Sequence, residues 1–276
     1  MARPAVKREA VRYVVEQYRL SCRWACAIVQ GFQDRAARPH VRASAESRIR
    51  YRYRRLHVLL KREGWRLGKH QAYRLYSEER LQLRSKLPRR RKMVVTRREK
   101  YVPKRPNQAW SMDYVADQLL DGPRSRSLTL VDVCTRESLD IRVGQRLKAE
   151  DIVDVCNRLA AQRGAPFRIF VDNGSEFSER IFDLWACYHK AANDFNRPGR
   201  PTDNSFVESF NGWCRDECLN VRWFETIDEA KAKIEAWRVE YNESRPHQAL
   251  REMTPAEFAL EFRTSEHRQE STTAGN

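Results

Sequence analysis

At 276 residues, with 41% hydrophobic residues and only 10 Gly and 11 Pro, the chain is long enough for two cored domains and too apolar to be mainly disordered. No apolar run approaches the roughly 18 residues of a bilayer span, and "MARPAVKREAVRYVV" lacks the apolar centre of a signal peptide. The net charge of +16 is concentrated in one half: residues 1–106 hold 31 Lys and Arg against 8 Asp and Glu, a net of +23, and the rest hold 22 against 29, a net of −7.

That imbalance points to a polyanion-binding module joined to something else. Seven cysteines with no CxxC read as reduced thiols in a cytoplasmic protein. The two Cys-x3-Cys pairs have no His at ligand spacing, which argues against zinc.

Residues 6–30 show an amphipathic helical pattern, with Ser21 a cap that splits it into two helices. Residues 31–48 show no clear period and read as connection. "YRYRRLHVLLKREGWRLGKHQAYRLYSEERL", residues 51–81, reads as helix, Gly-marked turn, helix, with Gly64 and Gly68 at the turn. That is helix-turn-helix geometry, and equally a plain helical hairpin. The outward residues of its second helix, His70, Gln71 and Arg74, are candidate DNA contacts. Residues 84–105 carry 11 basic residues and one acid, and Arg89, Arg90, Arg91 and Lys92 are candidate phosphate contacts.

The periodicity then changes. "AWSMDYVADQL", "SLTLVDV" and "SLDIRV" read as three strands, with a Gly-Pro turn at 122–123. "KAEDIVDVCNRLAAQRG" is an amphipathic helix closed by Gly164, "FRIFVDNG" a short buried strand running into a turn, and "SERIFDLWACYHK" a helix. The expected class is α/β with a mixed sheet. The domain boundaries expected are 1–83 helical and DNA-binding, 84–106 basic linker, 107–263 catalytic, and 264–276 disordered tail.

Three acids have unusual placements. Asp113 lies inside the first strand, Asp172 at the end of the buried strand, and Glu208 within the helical "SFVESFNG". Carboxylates are depleted in strands, and sites in α/β sheets gather beyond strand C-termini. Each has a structural alternative. Asp172 before Asn-Gly is good turn chemistry, Asp113 could accept from a neighbouring N–H, and Ser205 with Glu208 forms a capping box.

Asp113, 58 intervening residues, Asp172, 35 intervening residues and Glu208 resemble the DD(35)E triad of the integrase and transposase superfamily. "PNQAWSMDYVADQL", "VDNGSEF", "RPGRPTDNSFVESFNG", "RDECLN" and "YNESRPHQAL" resemble the second-frame (OrfB) transposases of bacterial insertion sequences of family three, densely from about residue 51 to 262. The resemblance implies a ribonuclease H-like catalytic domain that cuts and joins DNA at the ends of its own mobile element. It also implies two Mg²⁺ ions per site, replaceable by Mn²⁺, on Asp113, Asp172 and Glu208. Hard, oxygen-seeking cations suit carboxylates, and two of them can stabilise the attacking and leaving oxygens at phosphorus.

Asn204, Asn211 and Arg215 share a stripe with Glu208. Arg215 matches the family's basic residue associated with the DNA end, and Arg245 and His247 of "RPH" are further candidate DNA contacts. The chain departs from the family at Arg52, usually Gly, and at residues 190–193, Lys-Ala-Ala-Asn, usually a Gly-led β-branched strand. The partners implied are DNA, further copies of the chain on DNA, and the upstream-frame (OrfA) product, mixed or fused, with no membrane and a nucleoid-associated location. The rival reading is a catalytically inert, transposase-derived DNA-binding regulator.

Overall fold

The computed structural model describes residues 4–48, 50–82, 101–172, 177, 180–195 and 205–273. The chain forms two compact units, Met1–Arg89 and Arg90–Asn276.

The first unit holds four helices: α1 (Pro4–Tyr18), α2 (Cys22–Ser47), α3 (Tyr53–Arg62) and α4 (Lys69–Glu78). Ser21 caps α2 as expected, its hydroxyl accepting from the Trp24 N–H at 3.4 Å. Residues 31–47 are helix and not connection. Ala37 and Val41 bury against Leu60, Leu67 and Leu75, and Ala45 packs on the neighbouring cluster of Tyr51, Leu56, Leu59 and Tyr76. The period of four is there, but small side chains carry it and Pro39 interrupts it. Gly64, at φ +89°, makes the turn between α3 and α4, a conformation that costs glycine nothing sterically.

The second unit is a five-stranded mixed sheet in the order β3-β2-β1-β4-β5. Its strands are β1 (Ala109–Gln118), β2 (Arg124–Asp132), β3 (Ser138–Gly144), β4 (Arg168–Val171) and β5 (Ala192–Phe195). The first three pair antiparallel, while β4 joins β1 and β5 joins β4 in parallel. This is the ribonuclease H-like mixed sheet that the sequence led us to expect.

Strand alternation gives the sheet two buried faces. Trp110, Met112, Leu128, Leu130, Ile169 and Val171 pack with α5 (Ala149–Arg163) and α6 (Arg180–Tyr188). Val115, Val131, Ile141 and Val143 pack with α7 (Ser205–Cys214), the π-helical turn Arg215–Leu219 and α8 (Ile227–Ser244).

The departure at residues 190–193 does not prevent strand formation, because β5 pairs with β4 over four residues. The chain leaves α6 through Lys190 at φ +56°, a left-handed exit of the kind glycine favours. Helix α9 (Pro255–Thr273) runs past the boundary expected at 264. Thr254 and Glu257 cap it reciprocally, at 3.2 and 2.8 Å.

Candidate active site

The site lies on the sheet face that α7 covers. The β1–β2 register sets Asp113 opposite Thr129. The β1–β4 register pairs Ala109 with Arg168 and Ser111 with Phe170. Asp172 follows directly on β4, and its negative charge is felt at Asp113.

Asp113 is held at both oxygens. The Tyr114 N–H donates to Oδ1 at 2.7 Å, and the Asn211 side-chain amide donates to Oδ2 at 2.9 Å. Burial pushes the Asp113 carboxyl up to about 6, and the negative charges of Asp172 and Glu208 push the same way against those two donors. Both acids therefore lie within electrostatic reach of Asp113. Glu208 is solvent-exposed on α7, one turn before Asn211. Among the described residues no three His, Cys, Asp or Glu side chains converge closely enough to hold an ion. The donor set is nonetheless all carboxylate oxygen in a field that disfavours its own ionisation, and a hard divalent cation would relieve that field.

The other candidate residues divide. Arg215 is exposed at the start of the π-helical turn. Asn211 is buried and committed to Asp113 and Thr129, so it is no free DNA contact. Arg245 and His247 are also buried. The Arg245 guanidinium pairs with Glu217 and lies over the rings of Trp213 and Tyr241, while His247 packs edge-on to the same two rings. The "RPH" word is an interior polar knot and not a DNA-facing patch; its charge is neutralised by an acid 28 residues upstream, which sequence spacing does not reveal.

In the first unit His70 is exposed. Gln71 donates to Asp34 at 2.6 Å, and Arg74 pairs with Asp34 and Glu78, so α4 spends much of its polar face on its own unit. The α3–α4 turn forms an open cavity of about 690 Å³ lined by His57, Lys61, Trp65, Arg66 and Lys69, among others. Asn204, Arg89, Arg90, Arg91 and Lys92 lie outside the described residues. Sequence reading missed Thr129; only the strand register, a pairing across 16 residues, could have pointed to it.

The integrase core domain model matches residues 103–201, and a second integrase core domain model matches residues 190–255. The insertion element IS407 31.7 kDa protein of Burkholderia multivorans is 42% identical over 222 residues, covering 80% of this chain and 79% of that protein. The chain belongs to the insertion-sequence transposases of the integrase superfamily. The insertion element IS476 39.2 kDa protein of Xanthomonas euvesicatoria is 38% identical, covering 95% of this transposase and 79% of that protein. Among solved structures, the HTLV-2 integrase catalytic core in complex with magnesium is similar at 15% identity and TM-score 0.46, covering 56% of this transposase and 98% of that chain. By its family models and relatives the transposase is a DDE polynucleotidyl transferase, and none of its helices, among the described residues, is long and apolar enough to cross a membrane.

Proposed function

We propose that Asp113, Asp172 and Glu208 form the site at which this transposase cleaves and joins DNA strands at the ends of its element. The observation that carries the reading is the raised Asp113 carboxyl, loaded by burial and by the other two acids of the triad. Carboxyls raised by burial and by neighbouring acids cluster at functional sites.

The three carboxylates would hold two Mg²⁺ ions, which when bound supply charge stabilisation to the attacking and leaving oxygens of the phosphodiester. The chain's own part is positioning. Asp113 presents its remaining lone pairs in directions set by the Tyr114 and Asn211 donors. Asp172, just past β4, and Glu208, exposed on α7, would complete the set. Water would be the nucleophile for nicking and the freed 3′-hydroxyl for joining. Arg215, exposed on the chain beyond Glu208, would contact the DNA end, as would Asn204. Residues 84–105 would grip phosphates without reading sequence.

The partners in this reading are element ends and target DNA, further copies of the chain, and the upstream-frame product, which would supply most of the end specificity. The place of action would be the bacterial nucleoid. Strand transfer of an end oligonucleotide in Mg²⁺ or Mn²⁺, with and without the upstream product and beside scrambled DNA, tests this together with Asp172→Asn. The variant should lose nicking and joining while keeping its fold and DNA affinity. Undiminished joining by the variant would remove Asp172 from the site, and strong end preference by the chain alone would remove the need for a partner.

A further inference from the structure

The interior of the sheet carries a hydroxyl that the proposed chemistry does not yet use. Thr129 is fully buried on β2. Its Oγ1 lies 2.8 Å from Asn211 Oδ1 and 3.0 Å from the backbone carbonyl oxygen of Asp113. The one hydroxyl proton can be donated to either acceptor, and Asn211 Oδ1 is the nearer. We propose that Thr129 is a positioning residue for Asp113, acting through Asn211 to set the affinity of the site for a divalent cation.

The argument rests on which end of the Asn211 amide faces which partner. Asn211 can support the Asp113 carboxylate only with its NH₂ towards Oδ2; reversed, its oxygen would face a carboxylate oxygen. The Thr129 hydroxyl, donating to Asn211 Oδ1, holds the supporting orientation. Its second contact, to the Asp113 carbonyl, ties the same oxygen to the strand that carries the carboxylate. Three elements, β1, β2 and α7, meet at one buried hydroxyl. Replacing it by an apolar group of the same shape leaves Asn211 Oδ1 buried without its donor and frees the amide to turn. Asp113 then keeps one directional donor, from Tyr114, and loses the other. Loss of such an outer partner of a metal-binding side chain typically lowers metal affinity about 10–100-fold.

The inference rests on the reading of Asp113 as a metal-holding residue, so the experiment includes a control for that reading. Full-length protein, Thr129→Val, Thr129→Ser and Asp172→Asn are titrated with Mn²⁺, followed by electron paramagnetic resonance of the free ion and by thermal melts. Strand joining is measured in parallel across Mg²⁺ concentrations. Thr129→Val should weaken Mn²⁺ binding and raise the Mg²⁺ half-saturation about tenfold or more, with KM for DNA unchanged and kcat largely recovered at saturating metal. Thr129→Ser, which keeps the hydroxyl, should stay within about threefold of the parent. Should Thr129→Val not fold, as judged by its melt in EDTA, Thr129→Ala takes its place with the same expected shift. A purely structural role would lower the melting temperature equally with and without metal and leave the metal constant where it was, and that result overturns the proposal. Mn²⁺ binding and joining that survive in Asp172→Asn would instead overturn the assignment of the site itself.

Discussion

Asp113→Asn should make the transposase more stable at neutral pH in the absence of metal while leaving it inactive. The Asp113 carboxyl is pushed from 3.8 to about 6. A folded-state value raised above the unfolded one means that the fold holds a proton which the unfolded chain has released. Stability therefore falls as pH rises through the window from about 4 to 6, and by pH 7.5 the ionised carboxylate carries its full penalty. A shift of about two units corresponds to roughly 3 kcal/mol. Asp113 is only partly enclosed, so solvent screening reduces this to about 1–2 kcal/mol, or about 2–8 °C for a unit of this size. The substituted amide keeps the volume, still accepts from the Tyr114 N–H, and meets Asn211 if that amide turns. Thermal melts in EDTA should show the variant above the parent at pH 7.5, with the gap reduced to about a third by pH 4.5. Adding Mg²⁺ or Mn²⁺ should raise the parent and not the variant. A gap of the same size at both pH values, or a variant that melts lower at pH 7.5, would refute the argument from burial and mutual repulsion.

Lys190→Gly should stabilise the second unit by about 1 kcal/mol, since Lys190 is exposed at φ +56° and L side chains pay roughly that much in the left-handed region; urea unfolding measures it, and a loss of stability would contradict the strain. Arg245→Ala should destabilise by about 3–5 kcal/mol, because it strands the half-buried Glu217 without its partner and opens space beneath Trp213 and Tyr241. Its melting temperature should drop before any sequence-independent loss of DNA affinity appears. A stable variant with weakened DNA binding would return Arg245 to the DNA-contact surface.

The strands and most helices were legible because the period switches from about 3.6 to 2 at residue 109, and because Ser21, Gly64 and Gly164 punctuate the chain where the backbone needs them. The second half of α2 was not, because its buried face is Ala37, Val41 and Ala45, which are small or lie next to Pro39. Asp113, Asp172 and Glu208 could be picked out as acids in apolar settings and by resemblance. What surrounds them could not. Asn211 and Glu208 lie on neighbouring positions of one helix, and only the packing of α7 on the sheet decides that Asn211 turns inward to Asp113 while Glu208 stays in solvent. Arg245 failed for the same reason. A basic residue beside Pro and His reads as surface until its acid, 28 residues away, is seen to bury it.

Helix α7 joins two parts of the site mechanically. It carries Glu208 and, about 4.5 Å further along its axis, the Asn211 amide that orients Asp113. Asp113 sits within β1, at the centre of the sheet, so the helix is the adjustable member. Any slide or tilt that withdraws Glu208 also pulls the hydrogen-bond donor away from Asp113, and any movement that restores one restores the other. In the proposed site such a linkage would leave few half-assembled states: it would behave as a latch, with the third carboxylate and the support of the first engaged or released together.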